Sequence, residues 1–217
     1  DGVVVIAGVG RVTGTVALRE DGGLVDFVWS FRPAETPRWR PLRIRQGEAM
    51  TIREATPADV PAILRLVREL AEYEREPDAV KATEESFLTT MFPAKGDPTV
   101  FGHVAEIDGE DGPEVVGIAI WFLNFSTWTG TNGIWLEDLY VTPSQRGTGL
   151  GKQLLTRLAQ VCVERGYRRL EWTVLDWNEP SIAFYRSLGA VPMEEWTTNR
   201  LAGDALAAHG LWQNNVF

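Results

Sequence analysis

The spacing of apolar residues predicts where the chain forms helices. Apolar side chains recur every three or four positions from Val60 to Leu70, which gathers them on one face of a helix. Thr56 and Pro57 precede this stretch and are typical of an N-cap and a first helical turn. The pattern therefore predicts a helix that ends near Glu76, before a proline. Similar patterns predict helices over residues 83–91, 151–165 and 180–188.

Short apolar or alternating runs between these helices predict strands. They cover residues 51–55, 100–107, 114–124, 134–141, 168–176 and 196–201. A turn at 108–113 makes the second and third strands a hairpin, and a loop rich in Ser, Thr, Gly and Trp spans 125–133. The order is strand, two helices, three strands, helix, strand, helix, strand. This order predicts the α+β class with a mixed sheet.

The first 49 residues follow a different pattern. Residues 16–31 have two apolar stretches around a Gly-Gly turn, which we interpret as two short helices, and residues 33–48 are rich in Pro and Arg, as a linker is. We expect residues 1–49 to be an N-terminal extension of unknown role, derived from an upstream start or from cloning. A separate functional segment is the alternative. Residues 50–210 then form the main domain, and residues 211–217 form a C-terminal tail of unknown role.

Charge and composition narrow the range of functions. The formal net charge is −9, and after residue 49 there are 24 Asp and Glu against 14 Lys and Arg. This balance disfavours binding to nucleic-acid phosphates and suits a cationic substrate. No apolar run is long enough to predict a membrane span. The single cysteine, Cys162, cannot form an internal disulfide, which fits a reducing compartment, so we expect the protein to be cytoplasmic. Cys162 lies near the end of a helix with an apolar stripe, so we expect it to pack in the core. Two scattered histidines predict no metal site.

Residues 134–160 combine a buried strand, a glycine-rich loop and a helix. The amides of such a loop and the N-terminus of the following helix can hold a phosphate group. The loop lacks the Lys-Ser/Thr pair that ends a P-loop. Its spacing, Arg146-x-x-Gly149-x-Gly151, also differs from the GxGxxG of dinucleotide sites. The residues alone therefore predict an anion-binding loop that is neither of these two types.

Three segments together carry a resemblance to a known family. They are LEDLYV (136–141), RGTGLG (146–151) and WNEPSIAFYRSLGA (177–190). They resemble the GCN5-related N-acetyltransferase (GNAT) family, and within it the diamine (spermidine/spermine) and thialysine acetyltransferase branch, over residues 51–206. The resemblance implies a mixed, mostly antiparallel sheet flanked by helices, in which two splayed strands bind coenzyme A. Met50 stands where the family's first strand normally begins.

The resemblance also implies which residues bind acetyl-CoA, the cosubstrate. Backbone groups at the end of the strand line the acetyl and pantetheine arm, and an amide there stabilises the developing oxyanion. The loop holds the pyrophosphate, and the start of the helix after Asn178 contacts the cofactor as well. The full set is Leu139, Tyr140, Val141, Arg146, Gly147, Thr148, Gly149, Leu150, Gly151, Lys152, Asn178, Glu179, Pro180 and Ser181.

Two residues are candidates for proton transfer. Alternation along the strand sends the side chains of Glu137 and Asp138 to opposite faces, so we expect only one of them to enter the cleft. Glu137 matches the family position for substrate binding and base catalysis, and a carboxylate that only anchors a cationic amine is the alternative. Tyr185 matches the family's general acid, since a phenol can reprotonate a departing thiolate. Packing of Tyr185 beside Phe184 is the alternative.

The amine pocket matches the family less closely. The resemblance assigns substrate contacts to Tyr73, Glu74, Trp128, Glu137, Glu171, Trp172 and Thr173. An acid that lies near the loop tryptophan in the diamine enzymes is replaced by Ser126-Thr127. A long polycation needs several carboxylates, so this loss favours a smaller, lysine-like amine.

The sequence thus predicts an acetyl-CoA-dependent N-acetyltransferase that acts on a small cationic amine by direct attack. The resemblance implies a homodimer and no metal. Acetylation of a protein or peptide amine, and a non-catalytic acyl-CoA-binding module, are the alternatives.

Overall fold

The computed structural model describes residues 50–109 and 112–210, and the backbone of three strands before them. The chain forms two units, a larger one of residues 36–173 and a smaller one of residues 1–35 and 174–217. In chain order the strands and helices are β1 (Gly2–Ile6), β2 (Gly10–Leu18), β3 (Leu24–Arg32), β4 (Met50–Glu54), α1 (Val60–Tyr73), α2 (Glu84–Met91), β5 (Phe101–Gly109), β6 (Gly112–Ser126), β7 (Thr131–Val141), α3 (Leu150–Glu164), β8 (Leu170–Glu171), α4 (Glu179–Ser187) and α5 (Gly203–Gly210).

The larger unit is built on a five-stranded sheet in the order β4-β5-β6-β7-β8. The strands from β4 to β7 are antiparallel to their neighbours, whereas β8 pairs with β7 in parallel. This sheet and its flanking helices confirm the predicted α+β class. The parallel pairing reaches only Ile134 and Trp135 of β7. Beyond Trp135, the side of β7 that faces away from β6 has no partner among the described strands.

Helices α1 and α3 cover opposite faces of this sheet. Ile63 and Leu66 of α1 pack in one buried cluster with Ile120 of β6. The next residue of β6 is Trp121. The guanidinium carbon of Arg165, at the end of α3, lies 5.9 Å from the centre of the Trp121 ring. Because neighbouring residues of a strand point to opposite faces, α1 and α3 lie on different sides of the sheet.

The predicted helices of the larger unit are confirmed, and their caps explain where they begin. At the start of α2, the Thr83 hydroxyl accepts a hydrogen bond from the Ser86 amide at 3.2 Å. Before α1, the Thr56 amide donates to Asp59 at 2.7 Å. Both caps satisfy amides that have no partner inside the helix.

Two predicted strands differ from the structure. The strand predicted over 168–176 forms only at Leu170–Glu171, and residues 196–201 form no strand. A strand persists only where a neighbour completes its hydrogen-bond ladder. Among the described strands β8 has one neighbour, β7, and that pairing ends after two residues. The apolar pattern of these segments is compatible with a strand, but it does not show whether a neighbouring strand is present to pair with.

The smaller unit contains the three-stranded antiparallel sheet β1-β2-β3 and the helices α4 and α5. The prediction of two helices over 16–31 is therefore wrong. Val25, Phe27, Trp29 and Phe31 recur at every second position, a pattern of β-branched and aromatic residues that favours a strand. The proposed linker at 33–48 and the tail at 211–217 lie outside the described residues, and the domain boundary at 49/50 stays a prediction.

Candidate active site

Strand β7 contains a bulge at Glu137. Ile120 of β6 faces Asp138, and the next residue, Trp121, faces Leu136, so Glu137 has no partner on β6. A bulge of this kind places two residues of one strand opposite one residue of the other. It interrupts the strict alternation of side chains between the two faces.

The bulge brings both carboxylates to the face that α1 covers. Asp138 pairs with Ile120, which packs against α1. Trp135 pairs with Phe122, which lies two residues from Ile120 and therefore on the same face. The indole Nε1 of Trp135 donates a hydrogen bond to Glu137 at 3.0 Å, so the Glu137 carboxylate lies on this face as well. The expectation that Glu137 and Asp138 point to opposite faces is therefore wrong, because it assumed an unbroken strand.

The surroundings of Asp138 raise its pKa. It is half-buried, and burial is the main cause that raises its pKa from 3.8 to about 6. The negative charges of Glu137 and Glu74 raise it further. Burial also raises the pKa of Glu74, the residue that ends α1. Sequence reasoning missed Asp138 because a bulge leaves no mark in the apolar pattern.

The predicted phosphate residue Arg146 connects the glycine loop with β7 and α1. Its guanidinium carbon lies 4.8 Å from the ring centre of Tyr73 and 5.3 Å from that of Tyr140. Its Nε donates a hydrogen bond to the carbonyl oxygen of Val141 at 3.1 Å. Arg146 thus joins a predicted substrate residue, Tyr73, to two predicted cofactor residues. Its contact with a phosphate stays a prediction.

The glycine loop has the geometry that a pyrophosphate site needs. Gly147 and Gly149 adopt φ angles of 79° and 92°, which residues with a Cβ rarely adopt. Gly149 is the N-cap of α3 and carries no side chain that could cap it. The first turn of the helix begins with the bond from the Gln153 amide to the Gly149 carbonyl, at 3.0 Å. The amides of residues 150–152 precede that bond and have no acceptor within the helix, so they fit an anion.

Among the candidate amine contacts, Glu171 is already neutralised. Its Oε2 lies 2.9 Å from Nε of Arg169 and accepts a hydrogen bond from Asn124 at 2.7 Å. Trp172 is half-buried and Thr173 is exposed, and both follow β8. Trp128 lies between β6 and β7 with 89% of its surface exposed. The structure thus groups Tyr73 and Glu74 with the carboxylates of β7, while Glu171 belongs to a separate network.

The remaining predicted residues belong to the smaller unit. Asn178 is buried and caps α4, where its Oδ1 accepts from the Ser181 amide at 3.4 Å. Glu179 and Pro180 form the first turn of that helix. Tyr185 is half-buried, and its ring centre lies 5.2 Å from that of Phe184.

Cys162 is a core residue, as predicted. Its side chain is buried, and its thiol donates to the Arg169 carbonyl at 3.6 Å. Burial raises the pKa of the thiol, which disfavours the thiolate form. Among residues 50–109 and 112–210, no group of three or more His, Cys, Asp or Glu is placed to hold a metal ion. None of the described helices is long and apolar enough to cross a membrane.

Comparison with known proteins gives the family. The model of the acetyltransferase (GNAT) family matches residues 63–190. Thialysine N-epsilon-acetyltransferase from Bos taurus is 43% identical over 164 residues, covering 71% of this chain and 94% of its own. L-ornithine N5-acetyltransferase NATA1 from Arabidopsis thaliana is 32% identical over 196 residues, covering 72% and 86%.

A solved structure supports the fold. The integron cassette protein VCH_CASS6 from the V. cholerae mobile metagenome superposes with a TM-score of 0.61 at 24% identity, covering 75% of this chain and 98% of its own. The family match covers more than half of the chain, and the two relatives are each more than 30% identical to it. The chain therefore belongs to the acetyltransferase (GNAT) family and is an N-acetyltransferase that uses acetyl-CoA.

Proposed function

We propose that the protein transfers the acetyl group of acetyl-CoA to the primary amine of a small cationic molecule. The observation that carries this proposal is the carboxylate pair Glu137 and Asp138 on one face of β7, with Glu74 close enough to act on Asp138 electrostatically. Three acids around one strand end favour an ammonium group over a neutral or anionic substrate. The relatives named for thialysine and ornithine act on amines of this kind.

The carboxylate pair can also remove the proton that keeps the amine from attacking. A primary amine with a pKa of about 10.4 is neutral at pH 7 only about once in 2,500, a penalty of roughly 4.6 kcal/mol. A carboxylate beside the ammonium group both attracts it and can accept its proton. The pair at Glu137 and Asp138 therefore receives the amine and prepares it for attack.

The loop and the end of β7 hold the second substrate. Acetyl-CoA supplies the acetyl thioester when it is bound. The amides at the start of α3 and the glycine loop bind its pyrophosphate, with Arg146 as the nearest charged side chain of the loop. An amide among Leu139, Tyr140 and Val141 hydrogen-bonds the oxygen on which negative charge develops.

Tyr185 returns the proton at the end of the reaction. In this proposal its phenol donates to the departing sulfur, and Asn178 to Ser181 at the start of α4 bind the cofactor. The support for both roles is the match of residues 177–190 to the family pattern. Tyr185→Phe should then lower turnover and leave the affinity for acetyl-CoA nearly unchanged.

A short amine fits the described acids better than a long polyamine. Ser126 and Thr127 stand where the diamine enzymes have an acid, and Glu171 is neutralised by Arg169. Glu74, Glu137 and Asp138, by contrast, take part in none of the ion pairs formed by the described residues. We therefore propose a lysine-like amine such as thialysine or ornithine, with Tyr73, Trp128, Trp172 and Thr173 as further contacts.

The test is thiol release from acetyl-CoA with a panel of amines at pH 7. We expect thialysine, lysine or ornithine to give the highest kcat/KM, with spermidine lower and a peptide amine lowest. A peptide as the best substrate would favour the protein acetyltransferase alternative. Binding of acetyl-CoA without thiol release to any amine would favour the non-catalytic module.

We also propose that the protein acts as a homodimer in the cytoplasm. The family resemblance supports the dimer, and the single, buried Cys162 suits a reducing compartment. Light scattering on the purified protein tests the dimer: the mass should be about twice the 24.2 kDa of the chain.

A further inference from the structure

We infer that Asp138, rather than Glu137, accepts the proton of the attacking amine, while Glu137 anchors the amine. This assignment rests on the proposed function, because it divides the work of one carboxylate pair between its two members. It concerns a residue that the sequence pattern alone placed on the wrong face of β7.

The hydrogen bonds of the two carboxylates differ. Glu137 is exposed to solvent, and its Oε2 accepts the indole hydrogen of Trp135 at 3.0 Å. Its carboxylate is therefore solvated and is oriented by a neighbouring side chain. Asp138 is half-buried, and none of the ion pairs formed by the described residues includes it. A carboxylate with little solvation and no counter-ion gains most from taking up a proton.

The charges that face Asp138 act in the same direction. Glu137 lies beside it on β7, and Glu74 faces it from the end of α1. The neighbouring side chains of β6 on this face are Ile118 and Ile120, which carry no charge.

Arg146, the arginine of the glycine loop, contacts other groups. The Arg146 guanidinium lies over the rings of Tyr73 and Tyr140 and donates to the Val141 carbonyl. A bound amine therefore brings positive charge to a site in which negative charge is incompletely compensated.

The strength of Asp138 as a base follows from these surroundings. Burial, then Glu137 and Glu74, raise its pKa to about 6. Each unit of pKa is a factor of ten in a proton-transfer equilibrium, so Asp138 takes a proton from an amine about 100-fold more readily than an unperturbed aspartate does. It remains largely ionised at pH 7 and is therefore ready to act as a base.

The proton transfer balances without any further reactant. The ammonium group gives one proton to the Asp138 carboxylate and becomes a neutral amine. The amine nitrogen then forms a bond to the acetyl carbon, the carbon–sulfur bond breaks, and the thiolate takes a proton from Tyr185. The second proton of the former ammonium group leaves the new amide nitrogen and restores the phenol. Asp138 finally releases its proton to water.

The experiment compares Asp138→Asn and Glu137→Gln in the full-length protein. Both substitutions keep the size of the side chain and remove its charge. Turnover at saturating amine is measured from pH 5 to pH 9, together with acetyl-CoA affinity by calorimetry. Asp108→Asn, an exposed aspartate on β5, is the matched control and should behave as the wild type.

The assignment predicts different results for the two variants. Asp138→Asn should lower kcat about 10²- to 10⁴-fold and abolish the loss of rate below about pH 6, with acetyl-CoA affinity unchanged. Glu137→Gln should raise the KM for the amine, keep kcat within about tenfold, and move the acidic limb to lower pH, because a negative charge beside Asp138 is gone. The reverse pattern, with kcat lost in Glu137→Gln and kept in Asp138→Asn, would overturn the assignment.

Asp138→Asn cannot be used if it fails to bind acetyl-CoA, because it has then misfolded. In that case a third variant, Glu74→Gln, tests the role of Asp138. Glu74→Gln removes the second negative charge that acts on Asp138, so the acidic limb of kcat should again move to lower pH. A limb that stays in place would refute the role of Asp138. Failure of the wild type to release thiol with every amine tested would instead overturn the proposed function, and the assignment with it.

Discussion

At the scale of single residues, His103 is a titratable side chain that is buried within the sheet. Its side chain is 1% exposed, and its Nδ1 accepts a hydrogen bond from the indole Nε1 of Trp121 at 3.2 Å. The proton of the neutral ring therefore lies on Nε2, which is buried and has no partner among the described residues. Burial is the main cause that lowers the pKa of His103; the charge of Glu54 opposes it, and the charges of Arg157 and Arg165 add to it.

His103 should make the protein less stable in mild acid. Its pKa in the folded chain lies below the ordinary value of 6.5, so the unfolded chain binds a proton more readily. The free energy of unfolding should therefore decrease as the pH falls below about 6.5. Urea unfolding at pH 7 and pH 5 measures this loss, and His103→Gln, which does not titrate, should lose less. Equal losses in both proteins would contradict the role of His103.

At the scale of elements, one ion-pair network ties β4, α1 and β5 together. The Arg53 guanidinium donates to Asp59 at 2.7 and 2.8 Å and to Glu106 at 2.6 Å. Asp59 also accepts from the amide and the hydroxyl of Thr56, at 2.7 and 2.8 Å, just before α1. The hydrogen bonds from Arg53 are the main cause that lowers the pKa of Asp59 from 3.8 to about 2. Arg53 thus links the start of the first helix, through the buried Asp59, and the strand β5, through Glu106, to β4.

Asp59→Asn should cost about 1–3 kcal/mol of unfolding free energy at pH 7, since it weakens bonds to a buried acceptor. The native pKa is lower than the unfolded one, so this stabilisation is complete above about pH 4 and is lost as the pH falls through about 2. The difference between wild type and variant should shrink over that range in chemical unfolding experiments. Asp108→Asn serves as control and should match the wild type. A difference that does not depend on pH would show that the charge of Asp59 does not contribute to the free energy of unfolding.

Elements with local signals could be predicted from the sequence, and elements that depend on distant partners could not. The helix predicted over 83–91 forms at Glu84–Met91 because its cap and apolar spacing lie within one short stretch. The strand predicted over 168–176 shrinks to two residues because its ladder depends on other strands. The bulge at Glu137 arises from the register between β6 and β7, which no single strand encodes. The sequence therefore indicated β7 as part of a candidate site, but strict alternation along an unbroken strand placed Asp138 on the wrong face.

At the scale of the whole molecule, the family match at residues 63–190 runs through both units of the chain. The larger unit holds the glycine loop and the carboxylates of β7, and the smaller unit holds α4 with Tyr185. The acidic balance of the chain, with a net charge of −9, agrees with a cationic substrate and attracts it over longer distances.

The central claim is that the carboxylate pair on β7 prepares a small amine for acetylation. The most direct measurement is the rate of thiol release from acetyl-CoA with thialysine at pH 7, for the wild type and for the double variant Glu137→Gln/Asp138→Asn. The account predicts turnover by the wild type and a loss of at least about 100-fold in the double variant, at equal affinity for acetyl-CoA. Equal rates in the two proteins would contradict it.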